Sequence, residues 1–334
     1  MKKGNYNDQT FEQKVTENLR LTKEVKDELL AIHNGIRIAP LTSAAMSERL
    51  FSPDLNPDRF DYIMQSVLQD NELISIGSAT NTPALEFNDA KRAIYDLPAW
   101  IKDGRYANIE IQAIAQEYFF NRIDIYSSRM LLFQYSTSKG HPKSEIDYRN
   151  VNGVAIVALM KESPKLFKDF ESPRYIHRFK NAVSDSGMKI PTLRNIAFVQ
   201  LDKALEMFLS GTYNEDEDYE LLTLLALLAD PNNEKVKESV TNNNFFEKIY
   251  VDANNFSQDK EVQNMLFEEE LAIMDYNTSI HLAREEGEEK TNILYAWLFE
   301  NGRAEDVQKA TLDPQYRKAL FEEYDKAHKM SNQS

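Results

Sequence analysis

The chain has 334 residues, 39 basic and 54 acidic, for a net charge of −15; its length admits two domains, or one domain with extensions, around a substantial core. With no cysteine, disulfides and thiolate metal sites are excluded, which fits a reducing cytoplasm. The charge excludes a uniformly basic surface but not a local one: residues 1–87 carry 9 basic and 13 acidic side chains, 88–200 carry 17 and 12, and 201–334 carry 13 and 29, so the central segment alone is basic.

The opening MKKGNYNDQTFEQK is too polar for a signal peptide. The longest apolar run, Leu221 to Ala229, is about half the length that spans a bilayer, so a cytoplasmic protein without a membrane partner is expected. Residues 1–35 read as a charged helical arm closed by the Asn34-Gly35 stop signal, suited to packing or dimerisation. Thr42 or Ser43 is placed to cap a short helix running to Phe51, and Asn56-Pro57 to start another through Leu68. Residues 71–90 read as one or two short strands, ELISIGSAT and PALEFND.

Lys91 to Gln112, KRAIYDLPAWIKDGRYANIEIQ, is two alternating arms about a Lys-Asp-Gly turn, the pattern of a β-hairpin. A two-residue loop at Asp103-Gly104 pairs residues whose numbers sum to 207, with Asp96 and Glu110 on opposite faces. A three-residue loop, Lys102 to Gly104, fits Asp-Gly turn chemistry equally well and pairs residues summing to 206. Asp96 then lies across from Glu110, while Leu97, Ala99, Ile101, Ala107, Ile109 and Ile111 share the other face. This register is preferred because it gives one apolar face and one face for chemistry, whereas a one-residue slip buries both carboxylates or splits them. Directly opposed Cβ atoms are about 4.5–5.5 Å apart, and two carboxylates that close repel unless a proton or a cation bridges them. A hard, oxygen-seeking ion such as Mg2+ is the natural bridge, and Gln112 stands two residues further along the same face.

After Gln112 the period becomes helical. Ile114, Tyr118, Ile125, Leu132 and Phe133 form the expected apolar face, and Arg122, Tyr126 and Arg129 recur at i, i+4 and i+7 on another. From periodicity alone this second row is either a solvated basic stripe with one packed tyrosine or a binding edge. Val151 to Met160 is a continuous apolar run, expected as a buried strand of parallel type. Lys161, Lys165, Lys168, Arg174, Arg178 and Lys180 follow over a stretch read as loop. From Asn195 the reading is helical: IAFVQLDKALEMFL, an acidic loop at Asn214–Glu220 without calcium-loop spacing, helices at Glu220–Ala229, Glu234–Thr241 and about Asp259–Glu286, a break at AREEGEEK, and a last helical pair. The five histidines lack zinc-site spacing, and no phosphate-cradling glycine loop or nucleophile elbow occurs.

The order of Asp96, a hairpin with Gly104, Glu110-x-Gln112, and a helix with Arg122 and Tyr126 resembles the recombination-promoting nucleases and putative transposases of the PD-(D/E)XK superfamily. Lys91, Asp96, Gly104, NIEIQ (Asn108–Gln112) and FFNRIDIYSS (Phe119–Ser128) carry the likeness, which continues through VAIVALM (Val154–Met160), FVQLDK (Phe198–Lys203) and AREEGEE (Ala283–Glu289). It implies an α/β, restriction-endonuclease-like core, a mixed central sheet flanked by helices, over residues 36–200, between the 1–35 arm and an acidic α-helical region at 201–334. It further implies Mg2+-dependent cleavage of DNA phosphodiester bonds: Asp96, Glu110 and Gln112 catalytic, Asp96 and Glu110 holding Mg2+, and Arg122 and Tyr126 contacting the site or the DNA backbone. Arg129, on the same helical row, is a third DNA-binding candidate, and the N-terminal arm admits a homodimer.

The sequence departs from the family in one place. The Asp-x-x-Phe-Lys helix that opens family members corresponds to Leu41–Phe51, LTSAAMSERLF, which lacks that aspartate and lysine and leaves Glu48 as a candidate upstream acid. Gln112 stands where the superfamily has lysine, as the resemblance implies for this branch; glutamine orients a water but cannot take its proton, so the metal must lower the water's pKa. Two other readings stay open. The missing aspartate and the acidic C-terminal half favour a nuclease-derived scaffold that binds DNA or protein without cutting, and the blandest reading is an interaction protein whose hairpin is merely surface.

Overall fold

The computed structural model describes residues 10–79, 96–112, 118–136, 151–213 and 218–331. Lys91, Ile114, the stretch PALEFND and most of the acidic loop lie outside the described residues. The N-terminal arm consists of two helices, α1 (Phe11–Glu17) and α2 (Lys23–His33), each started by a threonine, Thr10 or Thr22, whose hydroxyl accepts a backbone N–H of the first turn. Ser43 does the same for α3 (Ala44–Phe51), and Pro57 opens α4 (Pro57–Leu68), as the sequence suggests. Arg59 of α4, 2% exposed, is paired with Asp252, so a buried cation is answered by a carboxylate.

Six strands form one sheet: β1 (Ser75–Ser78), β2 (Leu97–Ile101), β3 (Tyr106–Gln112), β4 (Val154–Met160), β5 (Ile176–Val183) and β6 (Lys189–Gln200), in the order β1-β2-β3-β4-β6-β5. The central β3, β4 and β6 are parallel; β1, β2 and β5 are antiparallel to their neighbours. This is the expected mixed sheet flanked by helices. Both faces of β4 are buried along its whole length, as a central parallel strand requires. α5 (Phe119–Ser136) covers the face that carries Tyr106, Val154, Ile156, Ala158, Met160 and Phe198. α4 packs against the other, where Arg178 of β5 donates to the Val67 carbonyl.

Two readings of the central segment need correction. The stretch from Ile176 to Gln200, expected as loop followed by helix, is the β5–β6 pair, and Ile196–Gln200 is strand. Ile196 to Val199 is a continuous apolar run because it is sandwiched between β4 and β5, and such runs do not separate strand from helix by period. Lys165 to Asp169, also read as loop, is the short helix α6 (Lys165–Asp169), and the helix expected from Asn195 begins only at α7 (Leu201–Ser210). α8 (Tyr219–Ala229) and α9 (Glu234–Val240) fall where expected, and α10 (Asn244–Ser257) was not foreseen.

α11 (Lys260–Glu300) runs straight through the predicted break at AREEGEEK. A lone Gly287 costs about 1 kcal/mol there, and Arg284–Glu288, 3.1 Å apart at i,i+4, supports the solvated helix across it. α12 (Ala304–Leu312) and α13 (Pro314–Ser331) complete the chain. Packing divides it into Met1–Glu269 and Glu270–Ser334, so the change of charge at residue 200 is not a change of packing: α7 to α10 belong with the sheet. In the second unit Leu294, Leu298, Ala310 and Leu320 form the core. Among the described residues no helix is long and apolar enough to cross a membrane.

The hairpin has the register preferred from its turn. Leu97 faces Ile109, Pro98 faces Asn108, Ala99 faces Ala107 and Trp100 faces Tyr106. Ile101 N donates to Arg105 O (3.0 Å) and Gly104 N to Ile101 O (2.9 Å), closing the three-residue loop with Gly104 at φ +89°. A Cβ on Gly104 would also lie 2.2 Å from Asn152 Nδ2. Gly104→Ala is therefore expected to cost about 1–2 kcal/mol through left-handed strain and displacement of that amide, read as a lowered urea midpoint at unchanged slope; an unshifted midpoint contradicts the loop.

Candidate active site

Extending the hairpin register by one pair brings Asp96, just before β2, opposite Glu110 of β3. Two hydrogen bonds lock this opposition. Ile111 N donates to Asp96 Oδ2 at 2.6 Å, and the Asp96 backbone N–H donates to the Glu110 carboxylate. Asn108, fully buried two residues before Glu110 on the same face, donates from Nδ2 to Glu110 Oε2 (3.0 Å) and accepts from Leu97 N on Oδ1 (3.2 Å). The sequence reading overlooked Asn108. Its signal was available: an amide at i−2 on a strand shares the face of the carboxylate it would have to hold.

The face that holds the carboxylates is not open to solvent, as a simple apolar-in, chemistry-out hairpin would have it. α5 lies over it, and Trp100, Tyr106 and Phe133 pack together further along the same face. Glu110 is 1% exposed and Gln112 is 4% exposed. Arg122, reaching in from α5, places Nη2 2.9 Å from Glu110 Oε1 and donates from the same nitrogen to Gln112 Oε1 at 2.6 Å. Its guanidinium lies over the rings of Phe119 (5.4 Å) and Tyr126 (5.9 Å). Its Nε is buried and has no hydrogen-bond partner among the described residues.

The row of α5 that faces the sheet is Phe119, Ile123, Ser127, Met130 and Gln134. The predicted apolar face is thereby corrected: Tyr118, Ile125 and Leu132 are exposed, and of that set Phe133 packs against the core. The buried row contains two polar residues that hide its period. Ser127 satisfies itself on the Asp124 carbonyl, and Gln134 ties Asn152 N and Gly153 O. With that row inward, Arg122, Tyr126 and Arg129 all fall on one half-buried flank, of which Arg122 reaches the carboxylates. Glu48 sits on the exposed side of α3, a helix that packs on α4 and α10, and among the described residues no hydrogen bond or ion pair joins it to Asp96 or Glu110.

Burial, the largest effect, and then repulsion from Asp96 push the Glu110 carboxyl up to about 8, against the pull of Arg122 and Asn108. Asp96 is exposed as a residue, yet its carboxylate turns inward onto β3. Desolvation there raises its pKa above the usual carboxylate range, opposed by the Ile111 N–H and Arg122. The pair therefore holds a proton near neutrality unless a cation replaces it. Two carboxylates fit Mg2+, which is commonly held by one or two carboxylates and completes its shell with water and phosphate oxygens; among the described residues no group of three His, Cys, Asp or Glu side chains is arranged for a metal.

A protein-family model described as PD-(D/E)XK nuclease family transposase matches residues 48–283, a span that includes the hairpin, α5 and the whole sheet. Neither the curated proteins nor the solved structures gave a match.

Because Glu110 binds its proton more tightly folded than unfolded, its contribution to stability is fully present below about pH 4.5 and is lost as the pH rises through about 8. Without metal, Glu110→Gln is expected to match wild type at pH 4 and to exceed it at pH 9 by on the order of 1–3 kcal/mol. Paired urea titrations across that range check this; a pH-independent difference contradicts the buried, proton-holding pair.

Proposed function

Since the chain belongs to the PD-(D/E)XK nuclease family transposases, we propose that it is a Mg2+-dependent DNA endonuclease hydrolysing phosphodiester bonds at Asp96 and Glu110. The observation that carries this reading is a buried Glu110 held opposite Asp96 and faced by one arginine. That arrangement destabilises the fold when ionised, so it calls for a ligand to repay it.

Asp96 and Glu110 would hold the ion, which when bound supplies a lowered water pKa and charge stabilisation at the scissile phosphate. Asn108 keeps Glu110 in one rotamer, pre-set for that role. Arg122 acts as the resident counter-ion of Glu110. Once its charge is no longer needed there, its guanidinium turns to a phosphate oxygen, with the unpartnered Nε offering a second donor for bidentate contact. Phe119 and Tyr126 support the cation through their ring faces during that movement. Released from Arg122, the Gln112 amide oxygen accepts from the attacking water and fixes its line of approach. Tyr126 and Arg129 continue the contact along the backbone of a DNA partner, and the absence of cysteine suits a cytoplasmic site of action.

A second reading, a scaffold that binds DNA without cutting it, is favoured by two observations. Arg122 already neutralises Glu110, and the candidate upstream acid Glu48 is exposed on α3 with no hydrogen bond or ion pair to the carboxylates among the described residues.

Supercoiled plasmid and single-stranded DNA with Mg2+ separate the two readings. Wild type is expected to nick; Asp96→Ala and Glu110→Gln to lose on the order of a hundredfold or more; Gln112→Ala to lose less. No nicking of either substrate by wild type, with DNA binding intact, hands the assignment to the scaffold.

Arg122 gives an independent measurement. By calorimetry without DNA, Mg2+ should bind more tightly as the pH rises towards about 8 and should bind Arg122→Met more tightly than wild type, because a competing cation has been removed. Arg122→Met should also weaken DNA binding and reduce its salt slope by about one. Unchanged Mg2+ affinity in the variant overturns the counter-ion role.

A further inference from the structure

A path of touching rings leads away from the carboxylates. The Arg122 guanidinium lies over Phe119, whose ring contacts Phe198 of β6 (5.9 Å between centroids), and Phe198 contacts Phe167 of α6 (5.7 Å) and Phe179 of β5 (5.8 Å). Phe167 lies 5.1 Å from the His177 ring, and Phe170, 5.9 Å from that same ring, ends the path. Phe119, Phe167 and Phe198 are buried, whereas Phe170 and Phe179 are each more than half exposed. Glu110, Ala158, Phe198 and His177 occupy one row across β3, β4, β6 and β5. His177 is therefore on the face of the carboxylates, three strand spacings or about 14 Å from Glu110.

The imidazole is held in place from below. Ser163 gives its hydroxyl proton to Asp202 Oδ1 (2.5 Å) and its N–H to Oδ2 (2.9 Å), so its oxygen accepts from Gln200 Nε2 (2.9 Å). That turns Gln200 Oε1 to His177 Nε2 (3.1 Å), which must donate. Nδ1 is then an acceptor, with no hydrogen-bond partner among the described residues.

Phenyl faces alone suit any apolar group. Two of them beside a fixed imidazole with an acceptor to spare suit a flat ring with donors on its edge. Unpaired nucleobases are bound in this way, by stacking on Phe, Tyr, Trp or His and by hydrogen bonds to their edges. Charge decides between a duplex and a single strand. From Lys165 to Phe179, Arg178 turns to the Val67 carbonyl on the opposite face, which leaves Lys165, Lys168 and Arg174 against Asp169 and Glu171. Sequence-independent duplex binding rests on neutralised phosphates, which three basic residues against two acids scarcely supply, whereas a base out of its pair stacks without such a field.

We propose that Phe170, His177 and Phe179 form a base-stacking platform for a single-stranded segment of the DNA held at Asp96 and Glu110. At 3.4 Å per stacked nucleotide the platform is about four nucleotides from the bond. The identity of the strand rests on the nuclease reading above; the platform itself rests on the exposed rings, the held imidazole and the shared face.

The test uses the full chain and fluorescence anisotropy at several salt concentrations, with a thymine 20-mer, an abasic 20-mer of equal charge and a 20-base-pair duplex. Wild type is expected to bind the thymine strand about tenfold or more tighter than the abasic strand. Phe170→Leu with Phe179→Leu keeps apolar bulk and removes the rings. It is expected to bind the thymine strand about tenfold or more weakly at unchanged salt slope, and the abasic strand as wild type does, which also reports an intact fold. Equal wild-type affinity for the two strands, or thymine affinity unmoved in the variant, overturns the platform while plasmid nicking by wild type keeps the nuclease reading in place. A loss shared equally by both strands makes the contact one to the backbone and overturns the platform too. Ring-dependent thymine binding by a wild type that never nicks overturns the nuclease reading and keeps the platform. Wild type that binds none of the three probes overturns both. A wild-type dimer in analytical ultracentrifugation that the variant abolishes, with thymine affinity unmoved, assigns the rings to a second copy and overturns the proposal.

Discussion

Glu110 is a carboxylate with 1% exposure set opposite another carboxylate, and the architecture around it follows from what must be done about that charge. Isolated, an ionised carboxylate in such a place is prohibitively costly, so it is protonated, paired or bridged. Each neighbour contributes to one of these solutions. Asn108 and the Asp96 backbone N–H satisfy its oxygens, and Arg122 supplies a cation from a different element. α5 must therefore present Arg122 to β3, and this fixes its rotation: Phe119, Ile123 and Met130 go down onto the sheet, while Tyr118, Ile125 and Leu132 are left outside.

What was legible in the sequence was what local stereochemistry determines. The Asp-Gly turn, with glycine at the position that needs positive φ, set the loop length. Parity then set which side chains oppose, so the pairing of Asp96 with Glu110 could be read before any coordinates. Val154–Met160 was legible because a strand buried on both faces has nothing to alternate. Illegible features were those decided at a distance. The buried row of α5 includes Ser127 and Gln134, whose partners are a carbonyl in the same helix and the Asn152–Gly153 backbone, so its apolar period is broken by residues that are nonetheless inside. Ile176–Gln200 shows no period-2 pattern, since its inner third is buried between two strands and its outer part is exposed on all sides. Asn108 is not of this kind: an amide two residues before Glu110 on a strand shares its face, so its bond to the carboxylate lay within reach of the same parity argument.

The substitution of glutamine at 112 takes on a different meaning once Arg122 is in view. The superfamily's lysine at that strand position would bring a positive charge next to Glu110. Here the positive charge arrives from α5, and Gln112 accepts a hydrogen bond from it. A lysine at 112 would face the Arg122 guanidinium at hydrogen-bonding distance and repel it. The cation beside Glu110 comes from a helix, and glutamine at 112 is compatible with it because its oxygen accepts from the arginine. Arg122 keeps 30% of its side chain exposed, so the cation stands between the buried carboxylate and solvent.

The same economy of charge bears on the β5–β6 ribbon. β5 is the edge of the sheet, and edge strands are commonly protected from pairing with other chains by bulges and lysines. Lys180, Lys189 and the bulge at residues 192–195 fit that purpose, and on their own they ask for no partner. Val183, Met188, Ile190 and Leu193 of the outer ribbon stay exposed beside that guard, so the bulge and the lysines have to keep strands of other chains from pairing there by geometry and charge alone.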